Sequence, residues 1–274
     1  MSDSEQLQYL IDLIDDDATE VREQIMGELS KYGLKLEEDL KEFSELLSKD
    51  RLEILKPILS ENRRKWLRRN WYSWNKIPID LEGLEEAMNL IAKFHFGFSE
   101  SVNLHFELDR LSEEFKNKYP YGNEIDLAKF LFQEKNLQGE KVNYYYPLNS
   151  NLIYVIEKKK GIPISLALIY IFTGYRLGMK VEGCNFPGHF LAKINVENET
   201  IFIDCFNGGN LIYESEIYEL VDAPSDSIER MINMPINSNV LIKRVLNNLI
   251  NAYHHYKDDV NEEFFRTLLE SSKF

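Results

Sequence analysis

A serine, a histidine and an aspartate stand in that chain order at Ser165, His189 and Asp204, all within residues 144–209. These side-chain types support nucleophilic acyl chemistry. In such chemistry Ser165 would attack, His189 would take its proton, and Asp204 would orient the imidazole. Short motifs surround each member. The stretch opens on Tyr144-Tyr145-Tyr146-Pro147-Leu148-Asn149-Ser150 and continues through Gly161-Ile162-Pro163-Ile164-Ser165-Leu166-Ala167. It closes with Phe186-Pro187-Gly188-His189-Phe190 and Ile203-Asp204-Cys205-Phe206-Asn207-Gly208-Gly209. Secondary candidates lie close by: Asn149 as an oxyanion donor, Tyr145 as a substrate contact, and Cys184 or Cys205 as a relocated thiol. A buried strand cysteine is the commoner role for either thiol.

The flanking residues dictate elements that could position this set. Pro163 suits the first turn of a helix, where its missing N–H costs nothing. Leu166, Ile169, Tyr170, Thr173 and Leu177 give that helix a packing face, and Gly178 suits its end. Ser165 then sits in the first turn, near the positive end of the dipole. A shorter helix is expected over 149–158, ended by Gly161. Strands are expected over 180–185, 190–196 and 200–205, with Asn198-Glu199 as a hairpin turn. Antiparallel pairing of the last two would bring the start of one, His189, beside the end of the other, Asp204.

The rest reads as helix. Leu7, Leu10, Ile11 and Ile14 make one apolar face, and Val21, Ile25, Leu29 and Tyr32 another. The Asp15-Asp16-Asp17 segment between them resembles the turn of a HEAT-type pair. Helix is expected to continue over 36–59, 80–98, 99–119 and 125–135. Residues 61–76 hold all three tryptophans, Trp66, Trp71 and Trp74, among six cations. A solvated basic face with inward-packed tryptophans is the expectation, in preference to nucleic-acid stacking. His95 reads as a packed histidine. After residue 209 come a short strand or turn and a helix up to 223, a loop at Pro224, and two helices, 238 onward and after Asp258.

Composition excludes several classes. The chain has 274 residues with a formal net charge of −14, which argues against general binding to nucleic acid or anionic membranes. With two cysteines and no basic-plus-apolar leader, a cytoplasmic location is expected. The histidines have no metal-ligand spacing and no Gly-rich phosphate loop is present, so neither metal nor cofactor is expected.

The motifs together resemble the SirB-type branch of the transglutaminase-like, papain-related superfamily, typified by Y-Y-D-P-x-N-S-x-L, G-I-P-I-S-L, P-G-H-F and D-x-F-x-G-G. The matching residues are Tyr144, Tyr145, Pro147, Asn149, Ser150, Leu152, Gly161 to Leu166, Pro187 to Phe190, Asp204, Phe206, Gly208 and Gly209. Tyr146 and Cys205 depart from the pattern. Arg244-Val245-Leu246-Asn247-Asn248-Leu249 resembles the start of that branch's tetratricopeptide-like tail. The resemblance implies an α+β fold, a helix packed on a small antiparallel sheet, as a transglutaminase-like domain (79–235) with a tetratricopeptide-like helical pair after it (236–274); apolar spacing adds a large helical N-terminal part with a HEAT-like pair (1–78). It places Ser165 where the superfamily carries its active-site cysteine; a register shifted by one puts Ile164 there and leaves no nucleophile.

Two functions follow. A serine hydroxyl is a poor nucleophile in a site built for a thiolate–imidazolium pair, which favours a non-catalytic module binding a protein or peptide. The alternative is a Ser-His-Asp, or relocated-cysteine, hydrolase or acyl-transfer enzyme acting on a peptide or amide.

Overall fold

A computed structural model describes residues 3–43, 46–78, 80–98, 102–186, 189–197, 199–220, 228–230, 232, 234 and 236–272. The chain divides into two units, residues 1–72 with 93–102, and residues 73–92 with 103–274.

In the first unit, helices Asp3–Asp12, Thr19–Lys31 and Lys49–Asn70, with the turn at Ile14, bury Leu7, Leu10, Ile11, Ile14, Ile25, Leu29 and Leu55, the first six of which lie on the two faces the spacing predicts. The helix expected over 36–59 is broken. Residues Leu36–Asp39 form one turn, Leu40–Phe43 tightens to 3-10, and a new helix starts at Lys49. Ser48 causes that start, because its hydroxyl accepts the Arg51 N–H as an N-cap. Of the cations in 61–76, Arg63 reaches Glu37 and the His95 carbonyl and Arg64 pairs with Glu61 at 3.0 Å; outside that set, Arg51 pairs with Asp15 at 2.9 Å. Trp71 is buried and Trp66 packs on Phe98 at 4.8 Å. Burial, with the Arg63 charge, pushes the His95 imidazole down to about 3.

In the second unit the chain is organised around helix Pro163–Arg176. Every residue from Pro163 to Gly174 is buried. A helix apolar on all sides can only be stable inside a core. It starts with Pro163 at its first position and stops before Gly178, which takes φ +73°.

Two short strands, β1 (Gln138–Gly139) and β2 (Lys160–Gly161), pair in parallel. The sequence does not signal them. The preceding helix, Leu152–Lys158, ends at Lys159 in the left-handed region, so Gly161 is a strand residue and not the terminator. Asn151 caps that helix, accepting from Ile153 and Tyr154.

Strands β3 (Glu182–Phe186), β4 (His189–Val196), β5 (Glu199–Asp204) and β6 (Asn210–Tyr213) form an antiparallel meander in sequence order. Asn198 of the expected hairpin turn lies outside the described residues; Glu199 is already the first residue of β5, and Glu197 has φ +51°. Pro187, Gly188, Ser99, residues 221–223 and Pro224 also lie outside the described residues.

The sheet is covered on both faces. On one, Cys184, Phe186, Leu191 and Phe202 pack with Ile217, Ile228 and Ile232. The other carries Phe190, Ala192 and Ile194, and β4 meets helix Pro163–Arg176. A side chain at Gly183 would strike the Phe190 ring at 2.7 Å and touch Leu241 of helix Ser238–His255, so any larger residue here displaces that ring. Helices Ser238–His255 and Asp259–Ser271 pack together, with Tyr253 stacked on Phe265 at 5.5 Å. Both lie in the second unit.

Candidate functional site

Ser165 sits in the first turn of its helix, as the Pro163 start predicts. Its side chain is turned inward and it is 1% exposed. The hydroxyl donates to the Asn149 carbonyl at 2.7 Å. The Asn149 carboxamide in turn donates to the carbonyls of Asn143 at 2.7 Å and Tyr144 at 3.0 Å. Both amide hydrogens are therefore committed to the loop that carries the tyrosine motif, and neither is aimed at an oxyanion. Together they latch the 143–150 loop onto the helix start.

Asp204 ends β5. It accepts from the Asn207 backbone N–H at 3.1 Å and from the Asn207 carboxamide at 2.8 Å. Gly208 and Gly209 follow at φ +79° and +73°, and Gly209 N–H returns to the Asp204 carbonyl at 2.9 Å. The Asp-x-Phe-x-Gly-Gly motif is thus a complete turn between β5 and β6. Only glycine takes two successive left-handed positions without strain.

His189 opens β4 with an exposed side chain, and its ring makes no hydrogen bond among the described residues. The register Phe186↔His189 and Cys184↔Leu191 puts His189 on the face of Leu191. Side chains alternate along a strand, so its ring and the Ser165-bearing helix fall on opposite faces of the sheet. The register Ala192↔Ile203 sets Asp204 level with Leu191. His189 and Asp204 share a face, offset by two residues along the strand.

Of the remaining candidates, Cys184 belongs to the apolar cluster on that same face and Cys205 is fully buried. Burial raises the Cys184 thiol to about 11. Burial, with the Asp204 charge, raises Cys205 well above its ordinary value. Neither is a thiolate at neutral pH, and the thiolate is the reactive form.

The opening nearest the helix start is a cavity of about 190 Å³ lined by Tyr144, Tyr145, Asn149, Ile162, Asn248 and Asn251, among others. Tyr145, the expected substrate contact, stacks on His255 at 4.7 Å. Ser165 does not line this space. Sequence reading missed Asn248 and Asn251. The available signal was their spacing with Arg244 on one helical face.

A second polar cluster lies at the other end of the long helix. Arg176 grips both oxygens of Glu85 at 2.6 Å and Asp109 at 2.5 Å. His105 bonds Glu85 and Glu86. The Glu85 and Glu86 hydrogen bonds raise the His105 imidazole to about 9. Burial acts to raise Glu85, but Arg176 and His105 outweigh it and hold the carboxyl below its usual value.

Among the described residues no group of three or more His, Cys, Asp or Glu is placed to hold a metal ion, and no helix is long and apolar enough to cross a membrane.

Comparison with known proteins adds lineage to this geometry. The family described as "Transglutaminase-like superfamily" matches residues 103–247. A UPF0162 protein of Xylella fastidiosa is 37% identical over 131 residues, 46% of this chain and 47% of the relative. A UPF0162 protein of Vibrio cholerae is 31% identical over 111 residues, 38% of this chain and 41% of the relative. Human F-box only protein 21 is 26% identical over 148 residues, 51% of this chain and 23% of the relative. The chain thus spans about half the length of the first of these relatives. No solved structure matches.

Proposed function

Since the chain belongs to the transglutaminase-like superfamily, we propose that it uses the fold as a peptide- or protein-binding module and performs no acyl transfer. The observation that carries this reading is the hydrogen bond from the Ser165 hydroxyl to the Asn149 carbonyl, 2.7 Å long and buried. A nucleophilic serine needs a base that accepts its proton. Here the proton points to a backbone carbonyl, and His189 lies across the sheet. Asn149 and Asp204 are engaged in the same way, each bracing a turn.

The competing reading, a Ser165-His189-Asp204 hydrolase or acyl-transfer enzyme, requires Ser165 to leave Asn149 and His189 to reach it past the sheet edge. Hydrolysis of activated acyl esters separates the two. The module reading expects purified wild type, Ser165→Ala and His189→Ala to give the same background rate. A wild-type rate that both substitutions abolish, with folding intact, supports the enzyme and sinks the module.

A further inference from the structure

Ser165, Asn149, Asn151 and Asp204 of the motif stretch are engaged internally, but a row on helix Ser238–His255 is not. Arg244, Asn248 and Asn251 follow i, i+4, i+7 spacing and so share one helical face. Asn248 and Asn251 line the cavity beside Tyr144 and Tyr145, and their carboxamides make no hydrogen bond among the described residues. Farther along the helix, His255 stacks on Tyr145.

Arg244 heads this row. Its guanidinium lies 5.3 Å from the Phe190 ring centroid, donates to the Asn185 side chain, and reaches the His189 carbonyl at 3.3 Å. These are two of the five donors a guanidinium carries. No carboxylate pairs with it among the described residues. That is unusual in a chain with 46 acidic side chains against 32 basic ones. Arginines packed into protein normally find an acid, as Arg176 does with Glu85 and Asp109. Burial acts against the Arg244 charge, holding its basicity below the usual value. A partly buried, aromatic-flanked cation with spare donors matches a carboxylate supplied from outside.

We propose that Arg244, Asn248 and Asn251 form the binding edge for an extended peptide whose carboxylate pairs with Arg244. The inference rests on the module reading above and names its ligand. A carboxamide offers both N–H donors and a carbonyl acceptor, and so complements a peptide bond. From Arg244 to His255 the helix rises roughly 16 Å, which an extended chain covers in about five residues. The carboxylate is therefore a C-terminus or an Asp or Glu side chain at one end of a pentapeptide-length segment. The tyrosine-lined cavity receives a side chain of that segment.

The test uses the full chain and a synthetic pentapeptide library in three arms: free C-terminus without acidic side chains, amidated C-terminus with one Asp or Glu, and amidated without any acid. Affinity is read by fluorescence anisotropy. Binding in either of the first two arms, at least tenfold tighter than in the third, is expected, and the arm that wins identifies the carboxylate. Arg244→Gln weakens binding about tenfold or more, as loss of a charge-assisted pair does, and Asn248→Ala weakens it without disturbing the arginine. Lys243→Ala, on an exposed neighbouring position, leaves it unchanged. Equal binding in all three arms, no binding in any, or Arg244→Gln and Asn248→Ala variants that bind like wild type overturn the site. Peptide cleavage that depends on Ser165 overturns the module reading instead.

Discussion

The motif stretch and helix Ser238–His255 meet at one cavity and treat their polar side chains in opposite ways. In the stretch, Ser165, Asn149, Asn151 and Asp204 are all nearly buried, and each is bonded to backbone within the domain. On the helix, Arg244 lacks an acid and Asn248 and Asn251 lack any partner among the described residues. Buried polar groups must be satisfied to be tolerated, whereas exposed ones can wait for a ligand. The difference separates residues that hold the fold from residues whose side chains are left unspent within it.

Substitutions should reproduce that division in stability. The reference for a fully engaged charge is Arg176. Removing it by Arg176→Ala leaves Glu85, whose side chain is 5% exposed, with the His105 imidazolium still offsetting its charge, and should cost about 3 kcal/mol in denaturant unfolding. Next comes Asn149→Ala, which strands two loop carbonyls and should cost about 2–3 kcal/mol. Ser165→Ala removes one buried hydrogen bond and should cost about 1–2 kcal/mol. Arg244→Gln should cost under about 1 kcal/mol, since no ion pair is lost. An Arg244→Gln penalty as large as that of Arg176→Ala would erase the distinction and make both arginines structural.

Acidity gives the most specific check. His105 titrates near 9 when folded, above its ordinary 6.5, because Glu85 and Glu86 hold its proton. A raised folded value means the stabilisation is complete below about 6.5 and is lost as pH rises through about 9. Unfolding followed from pH 6 to 10 should show that decline, and His105→Gln should flatten it. An undiminished slope in the variant would assign the decline to another group.

Much of this was legible in the sequence, and the omissions have physical causes. Pro163 and Gly178 bracket the central helix because each acts locally, through a fixed φ and a permitted positive φ. Three strands and both final helices follow from periodicity. Apolar spacing does not predict the break before Ser48, since a capping serine inside an apolar pattern outweighs the pattern. Strands β1 and β2, two residues each, carry no period to detect. The order of Ser165, His189 and Asp204 was visible, but not the direction of each side chain. The Asn149 carbonyl and the β3–β4 register decide that direction, and both are tertiary facts. In the sequence Arg244 is only part of a helical tail, because its lack of an acidic partner among the described residues exists only in three dimensions.

The measurement that bears most directly on the division is covalent labelling of the intact wild-type chain by a fluorophosphonate probe, read by mass spectrometry. A serine whose proton is held by a backbone carbonyl has no activating base, so no adduct is predicted at Ser165. An adduct on Ser165 that disappears in His189→Ala would contradict the account, and would make the motif stretch the working site and the helix face its accessory.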